Sequence, residues 1–67
     1  MYVLLTDKGT YFVELFFGKI MLSPNISEAL VFPKIDQAQK FKTMLFEQGQ
    51  IKCSVNTFIN EKNVNIK

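Results

Sequence analysis

Residues 10–17, TYFVELFF, form the longest run of aromatic and branched side chains in the sequence. Such a composition is typical of a β-strand. Because successive side chains of a strand point to opposite faces of its sheet, the run divides into two sets. One face carries Tyr11, Val13, Leu15 and Phe17, and the other carries Thr10, Phe12, Glu14 and Phe16. Both faces are largely apolar, so this strand needs cover on both sides.

The sequence on either side of this run predicts two further strands. Residues 2–5 are a short apolar run, and residues 7–9, DKG, form a turn in which Gly9 is free to adopt positive φ. The strands that flank this turn are therefore expected to pair as an antiparallel hairpin. Residues 18–19 interrupt the apolar pattern, and residues 20–22 then predict a third strand.

The segment 23–33 has no sustained periodicity. Pro24 lacks an amide hydrogen and cannot extend a central strand. Residues 26–30 fit either a single helical turn capped by Asn25 or a loop. Residues 31–32 are apolar and fit either a brief strand or a plug for the core.

Residues 36–48 predict the one clear helix. Asp36 is a good N-cap, Gln39 completes a capping box with it, and Gly49 stands where a left-handed C-cap belongs. The predicted inward stripe consists of Ala38, Phe41, Met44, Leu45 and Gln48. Phe46 lies on the flank of that stripe, roughly 100° from its neighbour, and is expected to be at least partly exposed.

Residues 51–59 predict the last strand, with one side chain in two facing the core and the others, apart from Phe58, polar. The predicted inward set is Ile51, Cys53, Val55, Thr57 and Ile59. Residues 60–67 form a polar tail that fits a weak edge strand and a frayed end equally well. The elements together predict a single α+β domain over residues 1–59, in the order β-β-β-α-β. One helix would lie on one face of an antiparallel sheet of three to four strands.

The length and composition restrict how such a domain is stabilised. A chain of 67 residues makes one small domain, and domains of this size bury only about 60% of their unfolded surface. The single cysteine excludes an internal disulfide and suits a reducing compartment. No signal-peptide pattern is present, and no apolar run approaches the ~20 residues of a membrane span. We therefore expect a cytoplasmic protein with no membrane contact.

No group of residues predicts catalysis. The chain has no histidine to activate Cys53, and Cys53 alternates in phase with apolar neighbours, which predicts a buried position. The carboxylates are scattered among turns, a helix cap and solvent-facing positions, and the three glycines stand apart, so no phosphate loop is present. We expect a non-enzymatic protein with neither cofactor nor metal.

The candidate binding surface is the second face of strand 10–17. With one helix available, one face of this strand stays open, and exposed apolar patches tend to mark interfaces. The candidate partner-binding residues are Phe12, Glu14 and Phe16, with Phe46 and Phe58 as extensions. Glu14 is then either a charged anchor for a partner or a gatekeeper that keeps an apolar face soluble. Alternatively, segment 23–32 folds over this face and buries it.

The basic residues give an alternative. All eight are lysine, and the absence of arginine removes the main reader of guanine edges and phosphates. Lys34, Lys40 and Lys42 cluster near the predicted helix start, where lysines usually form a solvated face. With the open-face aromatic side chains they would make a nucleic-acid-binding surface, although the carboxylate of Glu14 among those aromatics counts against it.

Several short motifs resemble a broad group of small uncharacterised proteins that phages and prophages of Gram-positive bacteria encode. They are the hairpin 2–12, the turn 29–32 that contains Ala and ends in Phe, the helix motif DQAQKF at 36–41, and the strand 51–59. This resemblance implies an accessory protein that binds and blocks a bacterial host protein in the host cytoplasm, as anti-CRISPR proteins do. It carries over no functional residue.

Two functions follow from these observations. The first is a protein-interaction module, encoded by a phage, that inhibits or modulates a bacterial protein or forms a homodimer through Phe12, Glu14 and Phe16. The alternative is a small domain that binds RNA or single-stranded DNA through Lys34, Lys40, Lys42 and the open-face aromatic residues.

Overall fold

The computed structural model describes residues 1–59. Its strands are β1 (Tyr2–Thr6), β2 (Tyr11–Phe16), β3 (Lys19–Ser23) and β4 (Cys53–Thr57), with a 3-10 turn at Ile26–Glu28 and one helix, α1 (Ile35–Gly49). The strands form one sheet in the order β3-β2-β1-β4, and all neighbours are antiparallel. The predicted α+β class and the β-β-β-α-β order are thus confirmed, with four strands in the described part of the chain.

The turn between β1 and β2 forms as the sequence predicts. Gly9 adopts a φ of 82°, a conformation that glycine reaches without steric cost. The buried hydroxyl of Thr6 accepts the backbone N–H of Thr10 at 3.2 Å and that of Lys8 at 3.3 Å. The side chain of Thr6, the last residue of β1, therefore stabilises the turn that follows it.

A β-bulge interrupts β2 at Val13. Phe12 pairs with Leu22, whereas Glu14 pairs with Met21, so β2 contains one residue more than β3 over this stretch. The extra residue reverses the alternation, and Phe12 faces the helix while Glu14 and Phe16 face the opposite side. The prediction that Phe12, Glu14 and Phe16 share one open face is therefore wrong.

Phe12 lies at the centre of the core. Its side chain is 0% exposed, and its ring lies 6.4 Å from that of Phe32 and 5.6 Å from that of Phe41, measured between centroids. The other buried apolar residues are Val3, Leu4, Ala38 and Leu45. An aromatic cluster between sheet and helix thus supplies the apolar burial that this short chain needs.

The segment before the helix completes the sheet instead of crossing its face. The backbone of Phe32 exchanges two hydrogen bonds with Tyr2, at 2.9 and 2.7 Å, and the N–H of Leu30 donates to the carbonyl of Phe12 at 2.9 Å. Residues 30–32 therefore lie between the diverging ends of β1 and β2. Both predicted roles of Phe32, a brief strand and a core plug, are combined in one residue.

Part of the second face is also covered. Val3 and Leu4 are adjacent in β1 and project to opposite faces, yet both are buried. On the face away from the helix, the turn Ile26–Glu28 packs against β2, and the hydroxyl of buried Ser23 donates a hydrogen bond to the Glu28 carboxylate. The predicted alternative, in which segment 23–32 covers this face, thus holds at the Ser23 end of β3.

The helix begins one residue before its predicted start and ends one residue after its predicted end. Lys34 is the N-cap, so Asp36 lies in the first turn and no side chain caps the helix. Gln50, not Gly49, adopts the left-handed conformation, with a φ of 55°. Gly49 is helical, and the Ile20 side chain packs against it, since a Cβ at position 49 would lie 3.1 Å from that side chain.

The last strand is shorter than predicted. Cys53 and Val55 pack against the core, whereas Ile59, predicted inside, is exposed. The predicted tail 60–67 lies outside the described residues. Within the described part of the chain, no helix has the length and apolar character that a membrane span needs.

Candidate protein-interaction surface

Exposed apolar side chains concentrate on the hairpin formed by β2 and β3. Five large apolar residues of this hairpin are exposed: Leu15, Phe16, Phe17, Met21 and Leu22. The turn Ile26–Glu28 and the helix cover the hairpin near β1, but neither shields its far end, where the strands reverse direction. This hairpin therefore carries the largest group of exposed apolar side chains of any pair of adjacent elements in residues 1–59, and Phe16 and Phe17 lie at its uncovered end.

The turn of this hairpin holds an aromatic residue where one is disfavoured. Phe17 and Gly18 form a two-residue loop, and both have positive φ, 49° and 76°. These values correspond to a type I′ turn, whose positions favour Asn, Asp and Gly. A phenylalanine in the left-handed region is an outlier and costs about 1–2 kcal/mol.

The side chain of Phe17 gains little from the fold in return. It is 90% exposed, and its described aromatic contact is with the ring of Phe16, edge to face at 4.5 Å between centroids. Phe16 is itself 51% exposed. We call Phe16 and Phe17 the aromatic tip.

Charged residues of both signs flank the aromatic tip. Lys19 pairs with Phe16 across the hairpin, and Glu14 pairs with Met21. All four side chains project from the face away from the helix, since the bulge places Glu14 and Phe16 there. The surface thus combines apolar area with one cation and one anion, a pattern suited to a protein partner.

The five predicted partner-binding residues do not lie on one surface. Phe12 cannot contact a partner, because it is buried under the helix. Glu14 and Phe16 are exposed on the hairpin, while Phe46 is exposed on α1. Phe58 is half-buried just after β4, which lies at the opposite edge of the sheet from β3.

The sequence pattern did not predict Phe17 as a surface residue. The pattern places Phe17 in the strand and on the covered face, because the apolar run continues to that position. Gly18 is the feature of the sequence that could have identified Phe17 as a turn residue. A two-residue hairpin loop that contains this glycine takes its second residue from the end of an adjoining strand, which here is Phe17.

The three lysines of the nucleic-acid alternative do not form one cluster. Lys40 lines a shallow depression on the outer side of α1 with Asp36. Lys42, roughly 200° further round the helix, lines a different groove with Phe46 and Lys52. Lys34 is the helix N-cap.

Cys53 lies in the same groove as Phe46 and Lys42. Burial raises the pKa of its thiol, the Lys42 cation opposes that rise, and the Asp7 carboxylate adds to it. A raised pKa keeps the thiol protonated and weakly nucleophilic at neutral pH. Among residues 1–59, no group of three potential metal ligands comes together.

Comparisons with protein-family models, with curated proteins and with solved structures found no match to this chain.

Proposed function

We propose that this protein is a non-enzymatic protein-interaction module that binds a partner protein through the aromatic tip of its β2–β3 hairpin. Phe16 and Phe17 would enter an apolar pocket of the partner, and Glu14 and Lys19 would pair with charges at the rim. Aromatic anchors in desolvated pockets contribute most of the free energy of many protein interfaces.

The conformation of Phe17 is the observation that carries this proposal. The residue strains the backbone, with a φ of 49°, and leaves nine-tenths of its side chain in solvent. Neither property stabilises the isolated fold, whereas both are useful if the ring is buried in a partner. Departures from local rules without compensation within the fold are typical of functional positions.

The partner class follows from the resemblance described above. Small phage-encoded proteins of this kind act on bacterial host proteins, so the proposed partner is a bacterial protein that this chain inhibits or modulates, in the manner of an anti-CRISPR protein. The aromatic tip replaces the predicted surface that included Phe12.

Affinity capture from a nuclease-treated lysate of a Gram-positive bacterium tests the proposal. The baits are the wild-type protein, a Phe16→Ser/Phe17→Asn double variant and a Phe46→Ser control. Phe46 is a matched control because it is 52% exposed, against 51% for Phe16, but lies on the helix. Circular dichroism of each bait confirms that it is folded.

The expected result is a partner retained by the wild type and by Phe46→Ser and lost by the double variant. Equal retention by all three baits contradicts the aromatic-tip proposal, and so does loss of the partner with Phe46→Ser alone. Purified partner and titration calorimetry then give the dissociation constant.

A second candidate function rests on the groove beside α1. Phe46, Lys42 and Lys52 all line this groove, and an exposed aromatic ring near cations suits one unpaired base and its phosphates. The predicted nucleic-acid surface is therefore revised to Phe46, Lys42 and Lys52.

Fluorescence anisotropy with labelled single-stranded RNA and DNA separates the two candidates. Nucleic-acid binding through the groove requires measurable affinity that falls steeply with salt and is lost in Phe46→Ser but kept in the tip variant. Absence of binding at low salt removes this candidate.

A further inference from the structure

The β3 edge of the sheet is an open site for strand pairing. β3 pairs with β2 on one side, and within residues 1–59 no strand pairs with its other side. Its centre, Ile20-Met21-Leu22, is continuously apolar, and no bulge or proline interrupts it. Natural proteins usually protect edges with such features, because free N–H and C=O groups recruit another strand.

The opposite edge differs in composition. β4 exposes Ser54 beside half-buried Asn56, and the charged Lys52 precedes it. The apolar character is thus confined to one of the two edges. A domain of this size, with few buried residues and no disulfide, also gains more stability from association than a larger domain does.

The hairpin geometry fixes which backbone groups of β3 are free. A two-residue turn joins its flanking residues by a hydrogen bond, so the amide and carbonyl of Lys19 point to β2. Orientation alternates along an antiparallel strand, which leaves those of Ile20 and Leu22 pointing outward. Pro24, next in this series, has no N–H to offer.

One antiparallel register uses all of these free groups. If two copies meet around a two-fold axis at Met21, Ile20 of each copy faces Leu22 of the other, and each pair exchanges two hydrogen bonds. Shifting the register by two residues toward the end of β3 would bring in Pro24, which cannot donate. The register centred on Met21 therefore makes four backbone hydrogen bonds.

The same register brings opposite charges together. Lys19 of one copy lies across from Ser23 of the second copy, on the face away from the helix. The Ser23 hydroxyl holds the Glu28 carboxylate, so each Lys19 ammonium comes beside a Glu28 carboxylate of the other copy. Within one copy Lys19 and Ser23 are about 13 Å apart along the strand, at about 3.3 Å per residue.

We propose that the protein forms a two-fold symmetric homodimer in which the β3 edges pair antiparallel about Met21, closed by two Lys19–Glu28 ion pairs. The result is a continuous eight-stranded sheet with both helices on the same side. The dimer uses neither Phe16 nor Phe17 and shares only Lys19 with the proposed aromatic-tip interface, so the Met21→Cys and Glu28→Lys variants test it separately.

Disulfide trapping tests the register. In a Cys53→Ser background, Met21→Cys places two thiols opposite each other at the axis, where Cα atoms of such a pair are about 4.5 Å apart, within the range for a disulfide. Glu14→Cys is the control: it is exposed on β2, and its two copies would be about 14 Å apart across three strand spacings. Mild oxidation should cross-link Met21→Cys and leave Glu14→Cys without an intermolecular disulfide, as measured by non-reducing gel electrophoresis.

Charge reversal tests the ion pairs by sedimentation equilibrium over a wide concentration range. Lys19→Glu and Glu28→Lys should each weaken the wild-type dimer about tenfold or more, and the combination should restore it. Circular dichroism checks that each variant is folded. A wild-type protein that stays monomeric, a dimer insensitive to both reversals, or equal cross-linking at positions 14 and 21 would overturn the proposal, and the Met21→Cys result stands even if Glu28→Lys fails to fold.

Discussion

The rings of Phe16 and Phe17 meet edge to face at 4.5 Å at the end of a hairpin whose turn requires a left-handed backbone at Phe17. The contact orients both rings into solvent and away from the core. A residue selected for folding alone would be Asn or Gly at this position. Stability and partner binding are therefore expected to respond in opposite directions to one substitution.

Phe17→Asn is predicted to stabilise the isolated protein. The change gives the turn an Asn-Gly pair, relieves left-handed strain worth about 1 kcal/mol, and should raise Tm by roughly 4–8 °C for a domain of this size. Thermal unfolding followed by circular dichroism measures the gain, and capture of the partner measures the loss of binding. A variant that is both less stable and fully competent to bind contradicts this interpretation of Phe17.

The two phenylalanines of β2 are predicted to differ sharply in their contribution to stability. Phe12→Ala removes a ring with 0% exposure from the aromatic core and should cost about 3–5 kcal/mol, most of what a domain of this size has. Phe16→Ala at the exposed tip should change the free energy of unfolding by less than about 0.5 kcal/mol. Urea denaturation of both variants measures the contrast, and similar losses would contradict the burial of Phe12 and the exposure of Phe16.

The bulge at Val13 explains why the sequence predicted the strand correctly but assigned some of its side chains to the wrong face of the sheet. Aromatic and branched side chains identify residues 10–17 as a strand, but period-two alternation assigns faces only while the ladder is regular. One extra residue at Val13 exchanges the faces of every later position. The extra residue becomes evident only from the partner strand, since Phe12 pairs with Leu22 and Glu14 with Met21.

The other differences between the predicted and the observed structure also depend on tertiary contacts. The helix 36–48 was predictable to within one residue at each end because its apolar stripe has the helical period. Its C-cap was not, since the contact of the Ile20 side chain with Gly49 depends on tertiary packing. The insertion of Phe32 beside Tyr2 requires β1 and β2 to diverge, which local sequence does not encode.

The thiol of Cys53 is predicted to react slowly with iodoacetamide at neutral pH. Burial raises its pKa, so the thiolate forms only at higher pH than in an unfolded chain. The Lys42 cation opposes this rise and the Asp7 carboxylate adds to it. Lys42→Gln should therefore move the pH profile of alkylation upward, and Asp7→Asn should move it downward.

The urea-unfolded protein is the control for this measurement, since its thiol should react with an ordinary pH profile. Alkylation rates are followed by mass spectrometry across the alkaline range. A Lys42→Gln variant that forms thiolate at lower pH than the wild type would show that Lys42 does not act on this thiol.

The cover over the second sheet face is predicted to depend on Ser23. Its buried hydroxyl donates to the Glu28 carboxylate and accepts the N–H of Asn25 at 3.1 Å. Ser23→Ala removes both hydrogen bonds and should lower the free energy of unfolding by about 1–2 kcal/mol. Ser27→Ala, an exposed change in the same turn, is the control and should stay within about 0.5 kcal/mol of the wild type.

A double-mutant cycle separates the charged hydrogen bond from the rest of this effect. Glu28→Gln retains an oxygen that accepts the Ser23 hydroxyl but removes the charge, and hydrogen bonds to charged groups are the stronger ones. In a Ser23→Ala background the Glu28→Gln change should therefore have little further effect, giving a coupling free energy of about 0.5–1 kcal/mol. Strictly additive effects in chemical denaturation would show that Ser23 and Glu28 stabilise the turn independently, with no net contribution from the hydrogen bond between them.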